Sequence, residues 1–349
     1  MTDILDDSAH EGFIVNNSVI ANSFIRRVVR SQIAIGTALN ITAPAYLSDI
    51  LENLVELPTA RVTMASNVTG EPQHVEVWLN ESPGPASFQG KPWNVSIEPC
   101  LPGNKGWQDA VHCWNATGGR LGGLPSDHLA KYPLWPSEFI SRADAPQLVA
   151  TAQATVRAYS VPGDLIYGRD SIGFVAAVLA GTQPPVSSTA WTAEEIVGAM
   201  ESVEGFTRSA TGAVHLLQFG NRMGMGMSRA VEEMLVSAPG GHYVEVFPMW
   251  PRGSDASFHQ LRVKGGFLVS ANYSSHSRTV TALAIEAAPI DPGQLQECIV
   301  KSPWQVEQVT VACRGGTNGT KHGRVPVVSG LLKFRAEVGR LCAITPVTP

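Results

Sequence analysis

The feature that most constrains this chain is a change of hydrophobic period between Val214 and Tyr273. Met227, Ala230, Val231, Met234 and Leu235 recur at i, i+3, i+4, i+7 and i+8, which puts them on one stripe of a helix. Ala238-Pro239-Gly240-Gly241 then stops the pattern, so the helix is expected to end by about Ser237. Beyond it come Val244, Val246 and Phe247, a turn built on Pro248, Trp250 and Pro251, and a period-2 run. In that run Leu261, Val263, Phe267, Val269, Ala271 and Tyr273 alternate with polar or small residues, the mark of half-buried strands. A helical part therefore precedes this segment and a β part follows it.

The helical part reads as six helices. Ser23 caps the first, with Ile25, Val28, Val29 and Ile33 as its buried stripe and Arg26, Arg27 and Arg30 facing solvent. Leu47, Ile50, Leu51 and Leu54 mark a short second helix closed by Pro58, and the two form an αα-hairpin. Asp144 and Pro146 start a helix running through Tyr159, and Ser171 starts another that Gly181 ends. Thr192 and Glu195 make a capping box for the fifth, with Ile196, Val197, Met200 and Val203 on one face. Between residues 60 and 140 only Val75, Val77 and Leu79 alternate as a strand, so the helices are expected to stack as antiparallel pairs. After residue 255 only strands remain, through Val309–Val311, Val325–Val328, Leu331–Phe334 and Leu341–Ile344, and a small β-sandwich is expected. The expected division is a helical domain over 1–254 and a β domain over 255–349.

Composition narrows the function classes. The 349 residues are 44% hydrophobic and 16% charged with a net charge of −5, which leaves no basic footprint for nucleic acid. No apolar run approaches the ~20 residues of a membrane span. Eight of thirteen asparagines stand in N-x-Ser/Thr: Asn16, Asn40, Asn67, Asn80, Asn94, Asn115, Asn272 and Asn318. Chance would give roughly two, and the excess points to a secreted or lumenal glycoprotein. Cys100 and Cys113 bracket a Pro/Gly/Trp loop as a plausible disulfide, while Cys298, Cys313 and Cys342 lie in the β region. Five cysteines leave at least one thiol unpaired within the chain. No pair has zinc spacing, and no cofactor motif is present. The first residues, MTDILDDSAHEG, lack the basic and apolar regions of a leader, so the chain is expected to be the C-terminal part of a longer secreted protein or one whose start was lost.

Three clusters bear on chemistry. Gly220-Asn221-Arg222-Met223-Gly224-Met225-Gly226 places three glycines at a helix start, where backbone N–H groups favour anions or hydroxyl oxygens; a loop needing positive φ is the alternative. Trp107, Asp109, His112, Trp114 and Asn115 combine aromatic faces with hydrogen-bonding groups, as sugar sites require; tryptophans buried under a long loop are the alternative. The third is Ser126-Asp127-His128-Leu129-Ala130-Lys131-Tyr132-Pro133-Leu134-Trp135-Pro136, with one histidine beside a Tyr-Pro turn.

On these residues the chain resembles glycoside hydrolase family 95, the α-L-fucosidases and related enzymes. The run GMSRAVEEMLVSAPGGHYVEVFPMWPRGSDASFHQLRVKGGFLVSA is similar to the end of that family's catalytic domain and the entry to its C-terminal β domain. The Ser126 to Pro136 segment is similar to a Ser-His-Leu run before a Tyr-Pro turn, which makes His128 a sugar contact by resemblance. Ser8-Ala9-His10-Glu11-Gly12-Phe13 resembles the family's Ser-Pro-Glu-His segment, one residue out of step, and makes Glu11 the candidate acid.

The resemblance implies an α+β multidomain fold, the second half of an (α/α)6 toroid of six-hairpin glycosidase type followed by the β domain. The water-holding asparagines and the first half of the toroid would lie upstream of Met1, and that missing half would be a partner. It also implies inverting hydrolysis of terminal α-L-fucose or galactose on a glycan, without a cofactor. Inverting chemistry needs a carboxylic acid on the leaving oxygen and a second group that orients water. Where the family has an Asp-x-Asn-Phe-Gly run, Arg222 stands under the Asp and Gly224 under the Asn, so only Asn221 remains to polarise a water. The expected set is thus Glu11 and Asn221 as catalytic groups, with His112, Trp114, Asn115 and His128 around the sugar and no metal. A second reading is a non-catalytic, secreted carbohydrate-binding protein that kept its sugar contacts and lost its carboxylates.

Overall fold

The computed structural model describes residues 3–6, 13–16, 19–57, 59–66, 69–78, 131–159, 171–207, 221–288, 295–314 and 321–347. The chain divides into two compact units, Met1–Ser228 and Arg229–Pro349.

In the first unit, β1 (Asp3–Asp6) pairs antiparallel with β2 (Phe13–Asn16). Helices α1 (Val19–Ala38) and α2 (Ala45–Asn53) pack together as the expected hairpin. The arginines differ from expectation. Arg26 is buried, because its Nη2 donates to the carbonyls of Leu54 and Val55, both at 3.0 Å, just past the end of α2. Those carbonyls have no helical donor, and a guanidinium fork satisfies them. Burial lowers the Arg26 pKa, with Glu56 acting in the opposite sense. Arg26 and Arg30 both lie over the Phe139 ring, at 5.3 and 4.4 Å from its centroid. Val28, expected in the buried stripe, is 52% exposed.

Strands β3 (Thr59–Ala65) and β4 (Pro72–Trp78) form a hairpin in register from Thr59↔Trp78 to Ala65↔Pro72. Helix α3 (Pro146–Tyr159) packs on β4, where the Trp78 N–H donates to Thr155 Oγ1 at 2.9 Å, and on α4 (Ser171–Ala180), which meets α5 (Ala193–Thr207). The C-terminal carbonyls of α4 are taken by side chains: Arg142 Nη1 donates to Val178 and Gly181 at 3.1 and 3.0 Å, and Gln153 Nε2 donates to Ala180 at 2.9 Å. The capping box of α5 is reciprocal, Thr192 N–H to Glu195 Oε2 at 2.8 Å and Glu195 N–H to Thr192 Oγ1 at 3.1 Å.

Helix α6 (Asn221–Leu235) leads into the second unit. A two-residue strand, β5 (Val236–Ser237), follows without a loop and pairs with β6 (Glu245–Val246). The rest is β7 (Ala256–Val263), β8 (Phe267–Ser274), β9 (Thr279–Ala287), β10 (Leu295–Lys301), β11 (Gln308–Cys313), β12 (Lys321–Val328), β13 (Leu331–Glu337) and β14 (Leu341–Pro346). They make one eight-stranded sheet in the order β10-β13-β12-β11-β14-β9-β8-β7, every pair antiparallel. Phe267, Val269, Ala271 and Tyr273 on β8 are buried and alternate with half-buried or exposed residues, as the sequence pattern requires. Gly265 at φ +88° turns β7 into β8; a Cβ there would meet the Phe267 ring at 3.1 Å.

Two fold expectations are corrected. The β-sandwich is replaced by a single curled sheet, because β12 pairs with β11 through residues 321–326 and with β13 through Val327 and Val328, carrying the hydrogen bonding around the corner. The curl is deep enough that the Gln296 side chain, on the first strand of the order, donates to the carbonyl of Gly265 in the turn after the last. One hydrophobic core fills the curl, with Val236, Phe247, Val269, Ile285, Val300 and Leu332 among its members. Among the described residues the half-toroid is not formed either. A toroid needs helices that pair only with helices, whereas α3 takes the β3–β4 hairpin as a neighbour, and strands make up much of the described chain.

Cys313 and Cys342 sit directly opposite each other on β11 and β14 and are joined by a disulfide. Cys298 is a free thiol buried on β10, and burial pushes its pKa up to about 12, so it stays protonated and unreactive. Replacing Cys313 and Cys342 by serine is expected to lower stability by about 3 kcal/mol, given a sequence separation of 29 residues. Denaturant melts of the unmodified chain and the double variant, run side by side, should show it.

Candidate functional site

In the second unit a cleft of about 410 Å³ lies between the last turns of α6 and strand β7, lined by Arg229, Glu232, Glu233, Leu261, Arg262 and Lys264 among others. Its helical wall is built by spacing. Arg229 stands three residues before Glu232 and four before Glu233, so one guanidinium reaches both carboxylates on the helix surface. Arg229 Nη1 contacts Glu232 at 3.2 Å, and Nη2 bonds Glu233. Glu233 is buried, and its other oxygen accepts from the Ser237 hydroxyl on β5.

This geometry sets what the cleft can do. Its two carboxylates are adjacent on one helix and therefore point about 100° apart. Both are held by the same arginine. A glycosidase pair has instead to face each other across a sugar, roughly 5 to 10 Å apart. The Arg229–Glu233–Ser237 chain is an anchor from helix to strand rather than an acid–base couple.

Other described carboxylates have structural work of the same kind. Both oxygens of Glu195 accept from Arg157 Nη2, at 2.9 and 2.8 Å, Glu245 pairs with Lys301 at 2.6 Å, and Asp144 caps the turn at Ser141. Asp255 accepts from both the N–H and hydroxyl of Ser275, which hold its carboxyl below the usual carboxylate range.

The residues expected from the sequence to form the site fall as follows. Glu11, His112, Trp114, Asn115 and His128 lie outside the described residues, as do Cys100 and Cys113. Asn221 is the first residue of α6 and Arg222 the second, so the glycine-rich run opens a helix as its sequence implied. Sequence reasoning missed the Arg229–Glu232–Glu233 group; its i, i+3, i+4 spacing was a visible signal, while the closing Ser237 bond depends on the helix ending where it does. Among the described residues no group of three or more His, Cys, Asp or Glu is placed to hold a metal ion. No helix among them is long and apolar enough to cross a membrane.

Comparison with known proteins adds no assignment: no family profile matches the chain, and no curated protein is similar to it.

Replacing Glu233 by alanine is expected to cost about 2 kcal/mol, since it removes the acceptor of Arg229 Nη2 and of the Ser237 hydroxyl. The exposed Glu232→Ala change should stay within about 0.5 kcal/mol. Thermal melts of the two variants side by side would check the ranking.

Proposed function

We propose that this chain is a divergent glycosidase-type protein of the secretory pathway that engages terminal α-L-fucosyl or related sugars, with a catalytic set too incomplete for efficient hydrolysis. The observation that carries the reading is the opening of α6. The run that resembles the water-positioning segment of family 95 glycosidases starts that helix, with Asn221 first and Arg222 where the family has a carboxylate. A cation cannot orient a nucleophilic water as a carboxylate does, and the carboxylates of the neighbouring cleft are bound to Arg229. Glu11 is the acid by resemblance, and His112, Trp114, Asn115 and His128 are the sugar contacts.

The same replacement favours a second reading, a carbohydrate-binding protein without turnover. One comparison separates the two. A group acting only in the transition state removes rate and leaves affinity when lost. Aryl α-L-fucoside hydrolysis by the unmodified chain is therefore expected near background, with fucose binding that weakens in His128→Ala. The hydrolase reading expects Arg222→Asp to gain measurable turnover that Glu11→Gln removes again. No gain with binding intact would favour the binding protein, and loss of both activities would sink both readings.

Support for the compartment comes from three features. The sequons number eight, and of those described, Asn40 and Asn272 are exposed. Asn40 sits in a left-handed turn at φ +54° after α1, and Asn272 points outward from β8. The Cys313–Cys342 disulfide suits an oxidising lumen. Secretion from a eukaryotic host behind a supplied leader is expected to give an endoglycosidase-sensitive ladder, shortened by one step in each of Asn40→Gln and Asn272→Gln. A product at the unmodified 37.2 kDa would refute it.

A further inference from the structure

Three exposed aliphatic side chains gather at the end of α1: Ile35, Leu39 and Ile41 are 58%, 62% and 61% exposed. Single exposed aliphatics are ordinary on a protein surface, but these three are drawn together by the backbone. Leu39 donates its N–H to the Ile35 carbonyl at 3.0 Å and so stands one helical turn beyond it on the same face. Ile41 donates to Gly36 at 2.8 Å and Asn40 to Thr37 at 3.2 Å, the two nested bonds of a helix-ending turn whose left-handed residue is Asn40, at φ +54°. The first bond returns Ile41 to the turn that carries Ile35, an approach so close that a Cβ on Gly36 would meet the Ile41 carbonyl oxygen at 3.0 Å. Asn40 thus lies between Leu39 and Ile41 in the middle of the patch and is itself exposed.

The turn accounts for Asn40 but not for Thr42. A left-handed residue after a helix is glycine or, next best, asparagine. Nothing in such a turn calls for a hydroxyl two residues on, yet Thr42 supplies one, exposed and without a hydrogen bond among the described residues. Together they make Asn40-Ile41-Thr42, an acceptor sequence for N-glycosylation. The contrast is Asn272, also exposed, whose cross-strand neighbours Ser257 and Ala282 are small and leave no apolar surface to cover.

We propose that the cover of this patch is the glycan on Asn40, whose first sugars fold back over Ile35, Leu39 and Ile41. In the attachment the Asn40 amide nitrogen bonds the anomeric carbon of a lipid-diphosphate-linked oligosaccharide as that carbon's bond to the diphosphate oxygen breaks; the lipid diphosphate leaves, and the amide gives up one proton. A pyranose ring presents C–H faces that pack on aliphatic side chains, and the linkage holds the first ring among all three. This role rests on the secretory compartment proposed above and belongs to one of its sequons in particular.

The test uses the whole chain, secreted from a eukaryotic cell behind a supplied leader and purified. Peptide mass mapping is expected to find Asn40 occupied. Thr42→Ala removes the glycan and keeps the turn residue; it should raise binding of an apolar fluorescent dye by roughly twofold and lower the concentration at which the chain self-associates. Asn40→Gly should do the same, since glycine keeps the left-handed turn. Asn272→Gln, which loses a glycan elsewhere, should not. Adding Leu39→Lys and Ile41→Lys to Thr42→Ala should return dye binding to the level of the unmodified chain. A product with no glycan on any sequon would refute the compartment and this role with it. Glycans elsewhere with Asn40 bare, or Asn40 occupied and both glycan-removing changes without effect, would overturn the role alone. So would a lysine pair that leaves dye binding high.

Discussion

The second unit depends on how α6 ends. The helix gives way to β5 without a linker, and the change of direction is fixed by the buried Glu233 carboxylate, which holds Arg229 one turn back and Ser237 on the new strand. The backbone then closes the same junction, as the Phe247 N–H donates to Leu235 at 2.7 Å. Val244 exchanges hydrogen bonds with β10 through Ile299 and Lys301, each at 2.8 Å. A strand pair that short is not stable alone. Tied to the helix at one end and to β10 at the other, it becomes part of the wall that closes the curled sheet's core.

The first unit solves a different problem, the disposal of carbonyl groups at helix ends. Each helix leaves its last carbonyls without donors, and burying them bare costs about as much as a lost hydrogen bond. Arg26 serves the end of α2, while Arg142 and Gln153 serve the end of α4. This is why cations and an amide are buried among apolar helices. Arg157 serves carbonyls of the turn before α5, donating to Thr189 and Ala190 while lying 4.2 Å over the Trp191 ring.

What the sequence foretold was local. The capping box at Thr192 and Glu195, the proline start of α3, and the alternation of β8 all act within a few residues, and the structure has each of them. What it hid was long-range. An outward arginine and Arg26 look alike until the end of α2, 28 residues away, comes within reach. The sandwich expectation failed at β12, whose pattern says strand but not that its two ends serve different neighbours. The toroid failed for the related reason that β3, which completes the β4 hairpin, has little period-2 contrast of its own in TARVTMA. For the site, only the helix start at Asn221 was both foreseen and described, because glycine spacing marks a helix end but no spacing locates a distant carboxylate.

Stability and catalysis ask opposite things of a carboxylate. Folding favours one held by partners from its own chain, as Glu233 is held by Arg229 and Ser237, whereas general acid or base work needs one left hydrogen-bonding capacity for substrate or water. Glu195, Glu233 and Glu245 are each paired with a cation from their own unit.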